Sequence, residues 1–333
     1  MDATPHAPPL PPWRTNPEGQ PRRIGVELEM SGPTLDELAV VAASFLRCEV
    51  IESSRYERSL RGDPAGDWIV ELDFHLLKKL GQTERDPQAL TDDLLQSAED
   101  ALHAVAQTLV PVEIVSPPLP MQRLPEVETL IARLREAGAK GTRDHPLNAF
   151  GMQFNPEIPH ADAATLTAYV RAFVCLYDWL YARADIDLTR RLTSYVAPYP
   201  LDYVRLVTTP DYAPDLPGLI DDYLRHNPTR NRALDLLPLF AHLDPARVAA
   251  VTDDPLIKPR PAFHYRLPDC QIDRPDWGIA AAWDDWLQVE RLAADPERLA
   301  GCCADCHEFM ARPALERWLG DWADEVAGRW LAP

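Results

Sequence analysis

The sequence predicts an α+β fold: a sheet that is apolar on one face and polar on the other, with helices between its strands. Three observations predict it. Several short stretches alternate apolar and polar residues, the period of a strand half-buried in a sheet. The segments between them carry apolar residues at helical spacing. From about Ile279 onward the pattern is helical to near the end, with Trp283, Trp286, Trp318 and Trp322.

The first stretch is IGVELEM, where Ile24, Val26, Leu28 and Met30 point one way and Gly25, Glu27 and Glu29 the other. Residues 1–22, proline-rich and without periodicity, predict a mobile, disordered arm before it. Leu35, Leu38, Val41, Ala42 and Phe45 predict a helix, with Thr34 as its N-cap. Residues around Glu49 to Ser53 suit a strand, and Arg61 to Gly66 a turn. DWIVELDF is the next strand, with Glu71 and Asp73 on its polar face, and a helix is expected over Pro87 to Leu109. VPVEIVSPPLP contains a short strand stopped by Pro117 and Pro118, placing Glu113 opposite Val112 and Ile114. Val127, Leu130, Ile131 and Leu134 predict a helix that Gly138 can end. AFGMQFNPEIP alternates Phe150, Met152 and Phe154 with Gly151, Gln153 and Asn155. A strong helical stripe follows from Leu166 to Leu180. Residues 185–259 read as irregular and proline-rich, with RNRALDLLPLF a loop entering a helical turn. PAFHYRLPD is the last clear strand, with His264 and Arg266 on its polar face.

Composition narrows the function classes. The chain has 333 residues, 46% of them hydrophobic, enough for one large domain or for one domain with a helical addition. The formal net charge of -19 repels phosphate backbones, which argues against nucleic acid as a partner. It fits either simple solubility or a cation-binding cleft. No apolar run approaches the length of a membrane span, and the N-terminus lacks the basic start and apolar core of a signal peptide, so no membrane partner and a cytoplasmic location are expected. Six cysteines in a chain this long do not make a disulfide framework.

The polar faces carry Glu27 and Glu29, then Glu71 and Asp73, then Glu113, then Gln153 and Asn155, then His264 and Arg266. One reading is the solvated face of an antiparallel sheet. The other is a metal-lined sheet. The first three strands show acids with no lysine or arginine between them, and if they are neighbours that charge calls for a cation. Oxygen-only ligands suit magnesium or manganese rather than zinc. Carboxylates followed by amides and then arginine is also the layout phosphoryl transfer needs. Neither GxxxxGK[ST] nor GxGxxG occurs.

GVELEM, DWIVELD, VEIVSPPL, FGMQFNP and a late HYRLPD, in this order, resemble the amidoligase family, within the carboxylate–amine ligase group that includes glutamine synthetase and glutamate–cysteine ligase. The resemblance covers about Arg23 to Asp269. It implies a curved, mostly antiparallel sheet of the glutamine synthetase-like type, with helices on the convex face and ATP and divalent metal (Mg2+ or Mn2+) on the concave one. It also implies an ATP-dependent ligase that joins a small-molecule or peptide carboxylate to an amine through an acyl phosphate. On this reading residues 23–270 are the catalytic domain and 271–333 a helical extension packed on it. Glu27, Glu29 and Glu113 match metal-binding glutamates. Asp73 matches an acid that binds metal or orients the amine. Arg266 matches an arginine expected at phosphate, and Arg232 and Arg260 are candidates for a substrate carboxylate. Gln153 and Asn155 stand where the family usually has H-V-H, at the nucleotide. Amides there hydrogen-bond but carry no positive charge, and this departure favours the alternative of a catalytically inactive nucleotide- or peptide-binding relative.

Outside this set, CCADCH (Cys302, Cys303, Cys306, His307) contains a single C-x-x-C, read either as buried helix cysteines or as a metal centre. His75, His103 and His145 read as structural, and Asp92, Asp93, Glu99 and Asp100 as a solvated helix face.

Overall fold

Strand β1 (Arg23–Met30) is paired along both edges, with β5 (Val112–Val115) on one side and β7 (Met152–Pro156) on the other. The computed structural model describes residues 8–72, 110–144, 149–187, 190 and 196–332. The predicted strand end at Asp73, the predicted helix over 87–109, and His75, His103 and His145 lie outside the described residues.

The sheet is open and runs β2 (Glu49–Ser54), β3 (Glu57–Arg61), β4 (Trp68–Leu72), β5, β1, β7, β9 (His264–Tyr265), β8 (Leu234–Asp235), with β6 (Leu119–Pro120) pairing the start of β1. Every pairing between these strands is antiparallel. The α+β class and the antiparallel sheet are therefore as the alternation predicts. β3 is an addition: ERSLR carries charge at both ends and no clean alternation.

The apolar face of the sheet is the core. Val26, Leu28, Val70, Ile114, Met152 and Phe154 are all buried. Helix α1 (Leu35–Leu46) packs on β2, β3 and β4. Its start is fixed by a reciprocal cap: Thr34 Oγ1 accepts from the Glu37 amide at 3.3 Å, and Glu37 Oε2 accepts from the Thr34 amide at 2.8 Å. Helix α2 (Leu124–Glu136) ends as predicted at Gly138, whose φ of 97° lets the Gly138 and Ala139 amides return to the carbonyls of Arg135 and Leu134. Helix α3 (Ala163–Arg183) reaches the sheet where the Phe173 and Tyr265 rings meet edge-on at 5.9 Å.

Residues 185–259, expected to be irregular, carry four helices among the described residues. They contain α4 (Leu201–Thr208), α5 (Leu216–His226), α6 (Leu237–Leu243) and α7 (Pro245–Ala249). Three of the prolines that suggested breaks, Pro217, Pro238 and Pro245, stand in the first turns of α5, α6 and α7. A missing N–H costs nothing there, and the fixed φ already suits a helix. The C-terminal region is helical as predicted: α8 (Ala280–Ala293), α9 (Pro296–Ala311), α10 (Ala314–Leu319) and α11 (Trp322–Arg329). Trp283 and Trp286 of α8 pack on Phe154 and Tyr265, and α9 and α11 pack on α3. Among the described residues no helix is long and apolar enough to cross a membrane.

Residues 8–22 differ from the mobile arm expected of them. Trp13 packs on Tyr169, and the Pro9 carbonyl accepts from Trp283 Nε1 at 2.9 Å. Arg22 is buried and forks onto Glu290 of α8 at 2.8 and 3.0 Å, and Tyr169 and Trp286 also donate to that carboxylate. The proline-rich composition conceals this because the anchors are single residues, Trp13 and Arg22, without a period.

Candidate functional site

The pairing register brings the acids together. Glu29 lies directly opposite Glu113, Glu113 opposite Glu71, and Glu71 opposite Glu57. Opposite residues on paired strands share a face, so four glutamates form one row across β1, β5, β4 and β3. Glu27 stands beside the row on β1, opposite Gln153. Like charges directly opposite one another repel across paired strands. Sequence reading missed Glu57, because the strand that carries it was not visible.

On the far side of β1 the two amides of β7 turn inward. Gln153 Nε2 donates to Glu29 Oε1 at 3.0 Å, and the Gly151 amide donates to Glu29 Oε2 at 2.7 Å. Gln153 Oε1 meets His264 Nε2 at 2.6 Å. Asn155 Nδ2 donates to Glu27 Oε1 at 2.7 Å, while Asn155 Oδ1 accepts from Arg260 at 2.8 Å. Each amide thus spans from an acid of β1 to a basic group of the opposite wall. Both are buried.

That opposite wall is cationic. Arg190, Arg230, Lys258, Arg260 and Arg266 line a cleft of about 840 Å3 together with Glu27, Glu29, Glu57, Glu71 and Glu113. The Nε atoms of Arg230, Arg260 and Arg266 are buried and make no hydrogen bond. Arg190 clamps the strand exit: its guanidinium donates to the carbonyls of Arg266, Leu267 and Pro268 and to Asp269. Behind the arginines sit Asp235 and His264. Burial pushes the Asp235 carboxyl up to about 6, against the pull of Arg266, Arg230 and Arg260. Burial, then Arg260, Arg266 and Arg230, push the His264 imidazole well below its usual range. Burial also lowers the Arg266 guanidinium.

The structure therefore brings together Glu27, Glu29, Glu113, Gln153, Asn155, Arg260 and Arg266 of the residues expected from sequence. Arg232 stands apart: its guanidinium donates to the Pro198 carbonyl at 2.6 Å and to that of His226, and it does not line the cleft. Arg230, two residues earlier, takes the place on the cleft wall. Asp73 lies outside the described residues. Asp235, Arg190 and Arg230 carried no signal in the sequence, because each stands in the segment without recognised periodicity.

The donor set around Glu27, Glu29 and Glu113 is all oxygen, the chemistry that suits a hard divalent cation. Among the described residues, no group of three or more carboxylate, imidazole or thiolate side chains is drawn up around a metal-sized point. This includes the cysteines of α9. Cys302, Cys303 and Cys306 are buried against Cys175 of α3, with Cys175 and Cys303 sulfurs 3.7 Å apart, while His307 points to Thr208. A hydrogen bond with Cys175, together with Arg171, brings the Cys303 thiol down to about 7.

The model of a family described as "putative amidoligase enzyme" matches residues 20–288. No curated protein and no solved structure matches the chain.

Proposed function

Because the chain belongs to the amidoligase family, we propose that it is an ATP-dependent carboxylate–amine ligase on a sheet of the glutamine synthetase-like type. The observation that carries this reading is the polarity of the cleft: five glutamates, four arginines and a lysine line one cavity. Joining a carboxylate to an amine at the expense of ATP needs both walls. The acidic wall suits divalent cations and the incoming ammonium. The basic wall suits phosphates and the substrate carboxylate.

ATP would supply the phosphoryl group that turns the carboxylate into an acyl phosphate, which the amine then attacks to release phosphate. A magnesium or manganese ion would neutralise charge on the transferred phosphoryl oxygens. Glu27, Glu29 and Glu113 would hold it. Gln153, Asn155 and the Gly151 amide aim two of these carboxylates, since each donates a hydrogen bond to a carboxylate oxygen. Arg260 and Arg266, with Arg230 beside them, would take anionic oxygens, and burial strengthens their pull. Gln153 and Asn155 have their oxygens and one N–H each committed within the protein. They would serve the site by orienting acids rather than by carrying the nucleotide. The same commitment favours a second reading, a relative that binds nucleotide without turning it over.

The test is to incubate the protein with ATP, magnesium and mixed carboxylates in the presence of hydroxylamine, an amine that traps acyl phosphates as hydroxamates. Release of ADP with hydroxamate is the expected result. ATP binding by calorimetry without turnover across a broad panel favours the second reading. No binding of ATP with magnesium overturns both.

A further inference from the structure

We propose that Asp235 and His264 are positioning residues that fix the direction of the Gln153 amide and, through it, the carboxylate of Glu29. The geometry of the contacts assigns the protons. A carboxylate only accepts hydrogen bonds, so the Gln153 atom 3.0 Å from Glu29 Oε1 is the NH2 group. The Gln153 oxygen then faces His264 at 2.6 Å and accepts, so His264 Nε2 carries a proton. The other ring nitrogen, Nδ1, faces Asp235 Oδ2 at 3.5 Å. Both atoms are buried, and neither makes a hydrogen bond.

This contact is held by backbone. Asp235 and His264 are opposite residues of β8 and β9. Asp235 Oδ1 accepts from the Leu237 amide at 3.0 Å, at the first turn of α6. A line of contacts therefore crosses four strands: the start of α6, Asp235, His264, Gln153, Glu29. Reversing the Gln153 amide would set its oxygen against Glu29 and its NH2 against His264 Nε2–H. The direction of the amide and the tautomer of the ring are thus one choice. Burial and the three arginines around His264 favour the neutral ring, which leaves Nδ1 without a proton, so a hydrogen bond with Asp235 forms when the Asp235 carboxyl, raised by burial to about 6, carries the proton. The functional consequence, a Glu29 kept ready for a cation, rests on the ligase reading; the proton assignment does not.

Imidazole 15N spectra of the full-length labelled protein at neutral pH test the assignment, with His264 identified by the signal lost in His264→Gln. A proton on Nε2 is expected; an unprotonated Nε2 overturns the proposal. The second readout is Mn2+ affinity by electron paramagnetic resonance. His264→Leu removes the donor to Gln153 and is expected to weaken Mn2+ binding 10- to 100-fold, the usual loss for a partner of a metal ligand. His264→Gln, whose NH2 can stand where Nε2 stood, is expected to keep affinity near that of the parent. Asp235→Asn, able to donate to Nδ1, is expected to keep both the tautomer and the affinity. Equal Mn2+ affinity in His264→Leu overturns the positioning role. If the parent binds no Mn2+, the metal reading fails while the spectra still decide the proton assignment.

Discussion

Replacing Glu290 by glutamine tests how the N-terminal segment is tied to the rest of the molecule. Arg22 and Glu290 are both fully buried, with side-chain exposure of 0% each. The carboxylate receives Arg22 Nη1 at 3.0 Å, Arg22 Nη2 at 2.8 Å, Trp286 Nε1 at 3.0 Å and the Tyr169 hydroxyl. Glutamine keeps the shape but offers one acceptor oxygen, and its NH2 confronts donors. Unsatisfied buried donors cost about 1–3 kcal/mol each, and Arg22 loses the buried counter-charge of Glu290. Breaking a buried pair from one side costs about 3–5 kcal/mol, a large share of a typical stability of about 5–15 kcal/mol. With a urea slope of about 3 kcal/mol/M the unfolding midpoint should fall by about 1–2 M. Urea unfolding followed by tryptophan fluorescence reads this directly. A second variant, Arg22→Met with Glu290→Leu, should recover part of the loss because it removes both charges together. A midpoint shift below about 0.3 M in Glu290→Gln, on the same slope, would refute the reasoning.

Three further outcomes are expected. Glu27→Gln and Glu113→Gln should each abolish ATP turnover while leaving the circular dichroism and urea midpoint near those of the parent; full activity in either removes that residue from the cation site. Of the six cysteines only Cys48 is partly exposed, so a thiol reagent should titrate one fast thiol in the native protein and six after denaturation, and several fast native thiols would contradict the buried cluster. Asp63 is held down to about 2, chiefly by Arg123, and is buried beneath it. A lowered carboxyl stabilises the folded state above its ordinary value near 3.8 and loses that contribution as pH falls toward 2. Asp63→Asn should therefore cost about 2 kcal/mol at pH 7 and progressively less below pH 4, and a cost independent of pH would break the assignment.

The strands were legible because one side of each is core. Ile24, Val26, Leu28 and Met30 alternate with Gly25, Glu27 and Glu29 whatever the tertiary structure, and burial follows that alternation. What alternation cannot carry is who lies next to whom. The row of Glu29, Glu113, Glu71 and Glu57 exists only after β1, β5, β4 and β3 have paired in one register. The choice of Arg230 over Arg232 is of the same kind: two residues apart in the chain, one faces the cleft and the other bonds the carbonyls of Pro198 and His226. The helices of residues 185–259 were hidden for a local reason. Proline in a first turn and proline in a loop look alike until the cap before it is seen, as with Asp215 before α5 and Asp244 before α7.

The central position of β1 also governs how the molecule is made. Leu28 pairs with Ile114 and Met152, so during synthesis the first strand emerges long before either partner exists. An exposed strand with one apolar face is a template for pairing with other chains. Glu27 and Glu29 put two charges on its other face during that wait, the gatekeeper pattern that keeps such strands from stacking. The two acids of a candidate binding site are therefore expected to hold the nascent strand off other chains as well. Substituting both by glutamine is expected to lower soluble yield as well as any activity, a loss visible in expression at different temperatures before any assay is run.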